Sequence, residues 1–206
     1  MKTILCFGDS NTHGYRPGVA GRFEWNERWT GILQHRLGDS YHVIEEGLNG
    51  RTTVWEDEIE CDKSGKRQLP SCIKSHAPVD LLVLMLGTND FKRKFSLTPS
   101  DIARSIETLI KIIRNADNEC DQPPQILLAA PTYLGEETFL GEIIGNRKAD
   151  SLRLGELLRG VAERYHTGFI NVAEVAGPSE LDGMHLDAEG HKKVAAAMEE
   201  KIREML

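Results

Sequence analysis

Met1-Lys2-Thr3-Ile4-Leu5-Cys6-Phe7-Gly8-Asp9-Ser10 opens the chain with a short apolar segment that stops at a glycine, a carboxylate and a hydroxyl. Ile4 to Phe7 is an unbroken apolar run of strand length, the pattern of a strand buried on both faces, as central parallel strands are. Gly8 permits a tight exit and close backbone approach. Ser10 is therefore expected just beyond the carboxyl end of a central strand, where open parallel sheets place their ligand sites. Glycine, aspartate and serine also favour plain turns, so the choice between a turn and a site rests on the rest of the chain.

The same design recurs downstream. Val79 to Leu86 contains six consecutive apolar residues and stops at Gly87-Thr88-Asn89-Asp90. Tyr41 to Leu48 reads as a strand ending in Gly47-Leu48-Asn49-Gly50-Arg51, and Gln125 to Ala130 and Gly168 to Val175 read as two more. Helical patterns separate them. Asn26 caps a helix carrying Trp29, Ile32, Leu33 and Leu37, and a short helix is expected around Leu69 to Ser75. Thr98-Pro99-Ser100-Asp101 is a capping-box start for a helix with Ile102, Ile106, Leu109, Ile110 and Ile113 inward. Further helices are expected from about Asp150 to Tyr165 and from Asp187 onward. Residues 11–26, 54–68 and 132–147 are too long for simple connectors. Alternation through five units predicts an α/β fold, a three-layer α/β/α sandwich on a five-stranded parallel sheet of flavodoxin-like order 2-1-3-4-5, as one domain over residues 1–206.

That order makes strands 2, 1 and 3 neighbours about 4.8 Å apart. Ser10, Gly50 and Asn89 then follow adjacent strands, with Ser10 central at the topological switch point. Acyl transfer needs a nucleophile and preorganised donors about 3 Å from the developing oxyanion. Ser10 offers a hydroxyl and its own backbone N–H, Gly50 a backbone N–H, and Asn89 a side-chain amide. Asp182-Gly183-Met184-His185 supplies the base, because a turn over three residues folds the carboxylate onto one imidazole nitrogen and frees the other for Ser10. Asp9 and Asp90 read as acceptors for loop N–H groups. Ser71-x-x-Lys74 lacks any Lys-Thr-Gly partner and falls on a helix, so it carries no weight.

At 206 residues and 40% apolar content, the chain is long enough for a full core. A formal net charge of −7, with no run of five like charges, argues against nucleic acid or membrane as a partner. The first apolar segment is too short for a signal sequence, which leads to the expectation of a cytoplasmic protein. Cys6, Cys61, Cys72 and Cys120 form no CxxC pair and read as reduced thiols. There is no P-loop, no Gly-x-Gly-x-x-Gly and no HExxH, and His185 and His191 fall on different helical faces, so neither cofactor nor metal is expected.

Taken in order, Gly8-Asp9-Ser10-Asn11, Gly50, Gly87-Thr88-Asn89-Asp90 and Asp182-x-x-His185 resemble the four blocks of the SGNH, or GDSL-type, hydrolase superfamily. Arg28-Trp29-Thr30-Gly31 and Glu45-Glu46-Gly47-Leu48 are similar to its arylesterase and acyltransferase branch. The resemblance implies a serine esterase with a Ser10, His185, Asp182 triad and an oxyanion hole from Ser10, Gly50 and Asn89. It implies no cofactor, a small-molecule short-chain ester as substrate, and a homo-oligomer. Asn11 to Tyr15 is more polar than that branch's pattern, and Pro131 to Asn146 does not match it. A carbohydrate O-deacetylase is therefore the alternative within the superfamily, and a flavodoxin-like nucleotide- or phosphate-binding module the alternative outside it. Phe23, Trp25, Leu134, Phe139 and Ile143 are the apolar side chains expected to line the pocket, with Asn11 and His13 as polar ones.

Overall fold

The computed structural model describes residues 1–19, 21–119 and 122–206. Cys120 lies outside them. Five parallel strands, β1 (Lys2–Gly8), β2 (Tyr41–Gly47), β3 (Leu81–Met85), β4 (Gln125–Ala130) and β5 (Gly168–Asn171), lie in the order β2-β1-β3-β4-β5. The expected topology is the one observed.

Residue alternation along β1 explains the layering, since successive side chains of a strand point to opposite faces. Leu5 and Phe7 join a core with Leu82, Leu84 and Leu128, while Ile4 and Cys6 join a second with Leu81, Val83 and Leu127. The first core is covered by α3 (Gly65–His76), α4 (Pro99–Arg114) and α6 (Lys148–Tyr165), the second by α2 (Trp29–Leu37) and α8 (Ala188–Met205). Two helices of about one turn sit at strand exits, α1 (Ser10–His13) after β1 and α7 (Val172–Val175) after β5, and a third, α5 (Gly141–Ile144), lies within the segment 132–147.

Several local boundaries differ from expectation. The N-cap of α2 is Arg28, with no side-chain cap, rather than Asn26. The β5 strand ends at Asn171, whose side chain accepts from Ala173 N–H and starts α7, so its apolar continuation Val172–Val175 is helical. The α3 helix starts at Gly65, four residues before the expected Leu69; its first turn is polar and lacks the apolar period that marks a helix in sequence. The Thr98–Asp101 capping box is present in full at α4.

Register sets the site. Gly8 is the Cα partner of Gly47 on one side and Met85 on the other, so three strands finish level and their loops leave from one line. None of the helices formed by the described residues is long and apolar enough to cross a membrane.

Candidate active site

Ser10 is the first residue of α1, which Asp9 caps by accepting from Asn11 N–H at 3.0 Å. The strand therefore turns into a helix at the serine and projects its hydroxyl from the sheet edge. His185 Nε2 lies 2.9 Å from Ser10 Oγ, and His185 Nδ1 lies 2.8 Å from Asp182 Oδ2. This pattern assigns the tautomer with Nδ1 donating to the carboxylate and Nε2 accepting from the serine O–H. The second carboxylate oxygen, Oδ1, accepts the N–H groups of Met184 and His185, both at 2.9 Å. All three side chains are almost fully buried. Burial works to raise the Asp182 carboxyl, but the His185 ring and these N–H donors outweigh it and hold it below the ordinary value.

Ser10, Gly50, Asn89 and His185 share the lining of one cavity of about 230 Å³. Gly50 has φ +79°, a left-handed conformation that suits glycine. Asn89 begins a 3-10 turn after β3, and its Nδ2 donates to the Arg51 carbonyl at 3.1 Å. Arg51 is itself buried. Its Nη1 donates to Gly8 O at 2.7 Å and to Glu46 O, its Nε donates to Gln68 at 2.8 Å, and its guanidinium lies 4.0 Å from the centre of the Phe7 ring. One arginine thus ties the ends of β1, β2 and β3 together. Asp90 accepts from the backbone and hydroxyl of Thr53, and Asp9 caps α1, so both are the loop acceptors expected of them.

The cavity wall departs from expectation. Of the five apolar candidates only Phe139 lines it. Phe23 is buried against His191, Trp25 packs by Arg28, Leu134 is in the core, and Ile143 is exposed. Asn11 is not a pocket residue: its Oδ1 accepts from Leu186 N–H at 2.9 Å and anchors the segment after His185. His13 does not line the cavity either. Tyr15 and Phe139 instead form an aromatic cluster with the imidazole, their ring centres 4.4 and 5.6 Å from that of His185 and 6.1 Å from each other.

Asn49, Glu60, Lys63 and Lys92, which sequence reasoning missed, also line the cavity. The excursion 54–68 is not wholly at the surface: Asp57 is completely buried and accepts from Lys92 Nζ at 3.0 Å and from Lys94. Burial opposes its charge, but the two ammonium groups keep its carboxyl far below the ordinary range. Lys92 also meets Glu60. A lysine three residues after Asn89 gives no periodic or motif signal; only the turn after β3 aims it inward.

The loop 132–147 is fastened to the turn that carries Asp182 and His185. Gly135 N–H donates to Gly183 O at 2.7 Å and Phe139 N–H to Asp182 O at 3.0 Å.

Among solved structures, a carbohydrate acetylesterase family member from Sinorhizobium meliloti is 40% identical, covering 100% of this chain and 99% of its own, with a TM-score of 0.95. The aryl esterase of M. smegmatis is 32% identical over 100% of both chains, with a TM-score of 0.94. An acetylxylan esterase from Xylanibacter ruminicola is 24% identical over 97% of this chain, which spans only 43% of that protein's length. The model of the GDSL-like lipase/acylhydrolase family matches residues 6–193. That span runs from inside β1 into α8 and holds every loop block at the sheet edge, and the chain belongs to that family.

Proposed function

We propose that the protein is a serine esterase that cleaves short-chain carboxylic esters through an acyl-enzyme on Ser10. The observation that carries this reading is the continuous Ser10–His185–Asp182 hydrogen-bond chain opening on a cavity shared with Gly50 and Asn89. Ser10 Oγ attacks the ester carbonyl as its proton passes to His185 Nε2. The carbonyl oxygen becomes an oxyanion that accepts from the N–H groups of Ser10 and Gly50 and from the Asn89 amide. Collapse expels the alcohol, which takes the proton back from His185. Water then repeats the sequence on the acyl group and restores the serine. Asp182 holds the tautomer and offsets the imidazolium charge. A flavodoxin-like binding module would have no use for this relay.

The leaving group departs on the imidazole side, where Tyr15 and Phe139 offer ring faces. The lining residues Asn49, Glu60, Lys63 and Lys92 are polar and charged, which favours a small acyl group such as acetyl. A carbohydrate O-deacetylase is the second reading, favoured by those polar groups as partners for sugar hydroxyls and by the Sinorhizobium relative's description. Acyl transfer to alcohols belongs to the proposal as a minor activity, since only Phe139 of the expected apolar wall is in place. A single domain, a homo-oligomer and a cytoplasmic setting complete it, the last in keeping with the free thiols Cys6, Cys61 and Cys72.

Fluorophosphonate should label the native protein on Ser10 and leave Ser10→Ala unlabelled and inactive towards 4-nitrophenyl acetate. A Ser10→Ala variant that still turns over ester would sink the mechanism. Comparing aryl acetates, longer acyl esters and acetylated xylose derivatives by kcat/KM separates the two substrate readings.

A further inference from the structure

Apart from the Ser10 cavity, three side chains of three ligand types converge where α3 packs on the edge strand. Glu46 comes from the end of β2, and Cys72 and His76 come from α3. One carboxylate oxygen, one thiol sulfur and one imidazole nitrogen all lie within 4.8 Å of one another. Cys72 and His76 stand four residues apart, so successive turns present them on the same helix face. His76 Nε2 and Glu46 Oε1 are already 2.9 Å apart. Cys72 is buried, whereas Glu46 and His76 keep some access to solvent.

We propose that Glu46, Cys72 and His76 form a binding site for a borderline divalent transition metal such as Zn²⁺, with water as fourth ligand. Bonds of about 2.0 to 2.3 Å in a tetrahedron put ligand atoms roughly 3.3 to 3.8 Å apart. The pair at 2.9 Å has only to open slightly, and the sulfur, within 4.8 Å of both partners, to close by at most about 1.5 Å. The mixed sulfur, nitrogen and oxygen set selects against Ca²⁺ and Mg²⁺, which need several oxygen ligands. On binding, the thiol proton leaves to solvent and the thiolate takes the metal. Thiolate and carboxylate together neutralise the dication. The Arg51 guanidinium, which donates to the Glu46 carbonyl, then faces a neutral centre rather than a second cation. The metal would fasten α3 to β2, an edge strand paired on one side only. This site stands apart from the esterase reading, since none of its three residues lines the Ser10 cavity.

Co²⁺ is the spectroscopic probe, added to the reduced full-length protein. One equivalent per chain should give thiolate-to-cobalt absorption in the near ultraviolet and tetrahedral bands in the visible, both abolished by Zn²⁺. Zn²⁺ at a hundred times its Kd should raise Tm by about 5 to 10 °C, since a ligand that binds only the folded state stabilises it. Cys72→Ser should remove the near-ultraviolet band and weaken Zn²⁺ at least tenfold, and His76→Gln should weaken it similarly, while Cys61→Ser and Cys120→Ser bind as the native chain does. Native protein that shows neither the cobalt bands nor the rise in Tm overturns the proposal, as does a near-ultraviolet band that survives Cys72→Ser.

Discussion

Asn89 Nδ2 gives one hydrogen to the carbonyl of Arg51 at 3.1 Å, and Asn89 lines the same cavity as Gly50. The Asn89 side chain is thereby tied to the residue that follows Gly50 in one turn. Their separation does not depend on how β2 and β3 breathe relative to each other.

Removing the amide should therefore cost rate and little else. Asn89→Ala is expected to lower kcat by about 10² to 10³ with KM little changed, the loss seen when one oxyanion donor is deleted. Steady-state kinetics with 4-nitrophenyl acetate measure this. A raised KM at unchanged kcat would make Asn89 a ground-state binding group.

Arg51 is expected to act through position alone. Lysine has neither the planar fork nor the reach to serve Gly8, Glu46 and Gln68 together. Arg51→Lys should lower kcat roughly 10- to 100-fold through small displacements of the Gly50 turn. Far-ultraviolet circular dichroism should remain native. Equal loss of kcat in Arg51→Lys and in a variant of Gln68 would instead place the effect on general loosening of α3.

Ser10→Ala, His185→Ala and the double variant should retain nearly the same residual rate, because groups that act as a unit are strongly non-additive. Single-turnover assays at high enzyme concentration make those low rates measurable. Independent, multiplying losses would separate His185 from the serine.

Gly183 holds the Asp182–His185 turn at φ +64°, and a Cβ there would lie 2.0 Å from Glu137 O. Backbone oxygen cannot swing aside as a side chain can. Gly183→Ala should destabilise the protein by about 2 kcal/mol or more, with about 1 to 2 from the left-handed backbone alone, and should lower kcat as residues 135–139 move. Urea unfolding alongside kinetics tests both; a variant of native stability and rate would show that the turn tolerates a side chain.

His191 gives the protein an acid-sensitive core. Burial presses its imidazole down to about 4, and its Nδ1 accepts from Trp29 N–H at 3.2 Å. The unfolded chain takes up a proton near pH 6.5 that the folded chain refuses until about 4. Stability present above 6.5 is thus lost as pH falls through that window, by roughly 2 to 3 kcal/mol between 6.5 and 4.5. Asp90 has the opposite sign, since burial lifts it to about 6 and its contribution fades as pH rises. Comparing native protein with His191→Asn at both pH values isolates the histidine. Parallel losses in the two proteins would refute it.

Strand order, the cap of α4 and the convergence of Ser10, Asp182 and His185 were legible because each rests on a strong local signal: an all-apolar strand, a capping box, a short polar block after a strand. The expected linings by Phe23 and Leu134 failed for one physical reason, while Trp25 stays exposed beside Arg28. An apolar residue in a long loop has the same character whether it faces a cavity or the core, and burial favours the core. Lys92 and Glu60 were invisible because their placement depends on a buried partner, Asp57, that sits far from Lys92 in the chain. Cys72 and His76 show a helical spacing in sequence, but Glu46 reaches them only through the packing of α3 on β2.

The bonds from Gly135 to Gly183 and from Phe139 to Asp182 bear on how such an enzyme diversifies. The loop that brings Phe139 to the cavity is laced by its main chain to the turn presenting His185. Insertions there cannot drift freely in search of new substrates, because each change of pocket shape also tugs on the imidazole. Lineages that broaden their range should keep the backbone of residues 135–139 and vary the side chains hung on it, and a transplanted loop should work only when its donor's Asp-x-x-His turn comes with it.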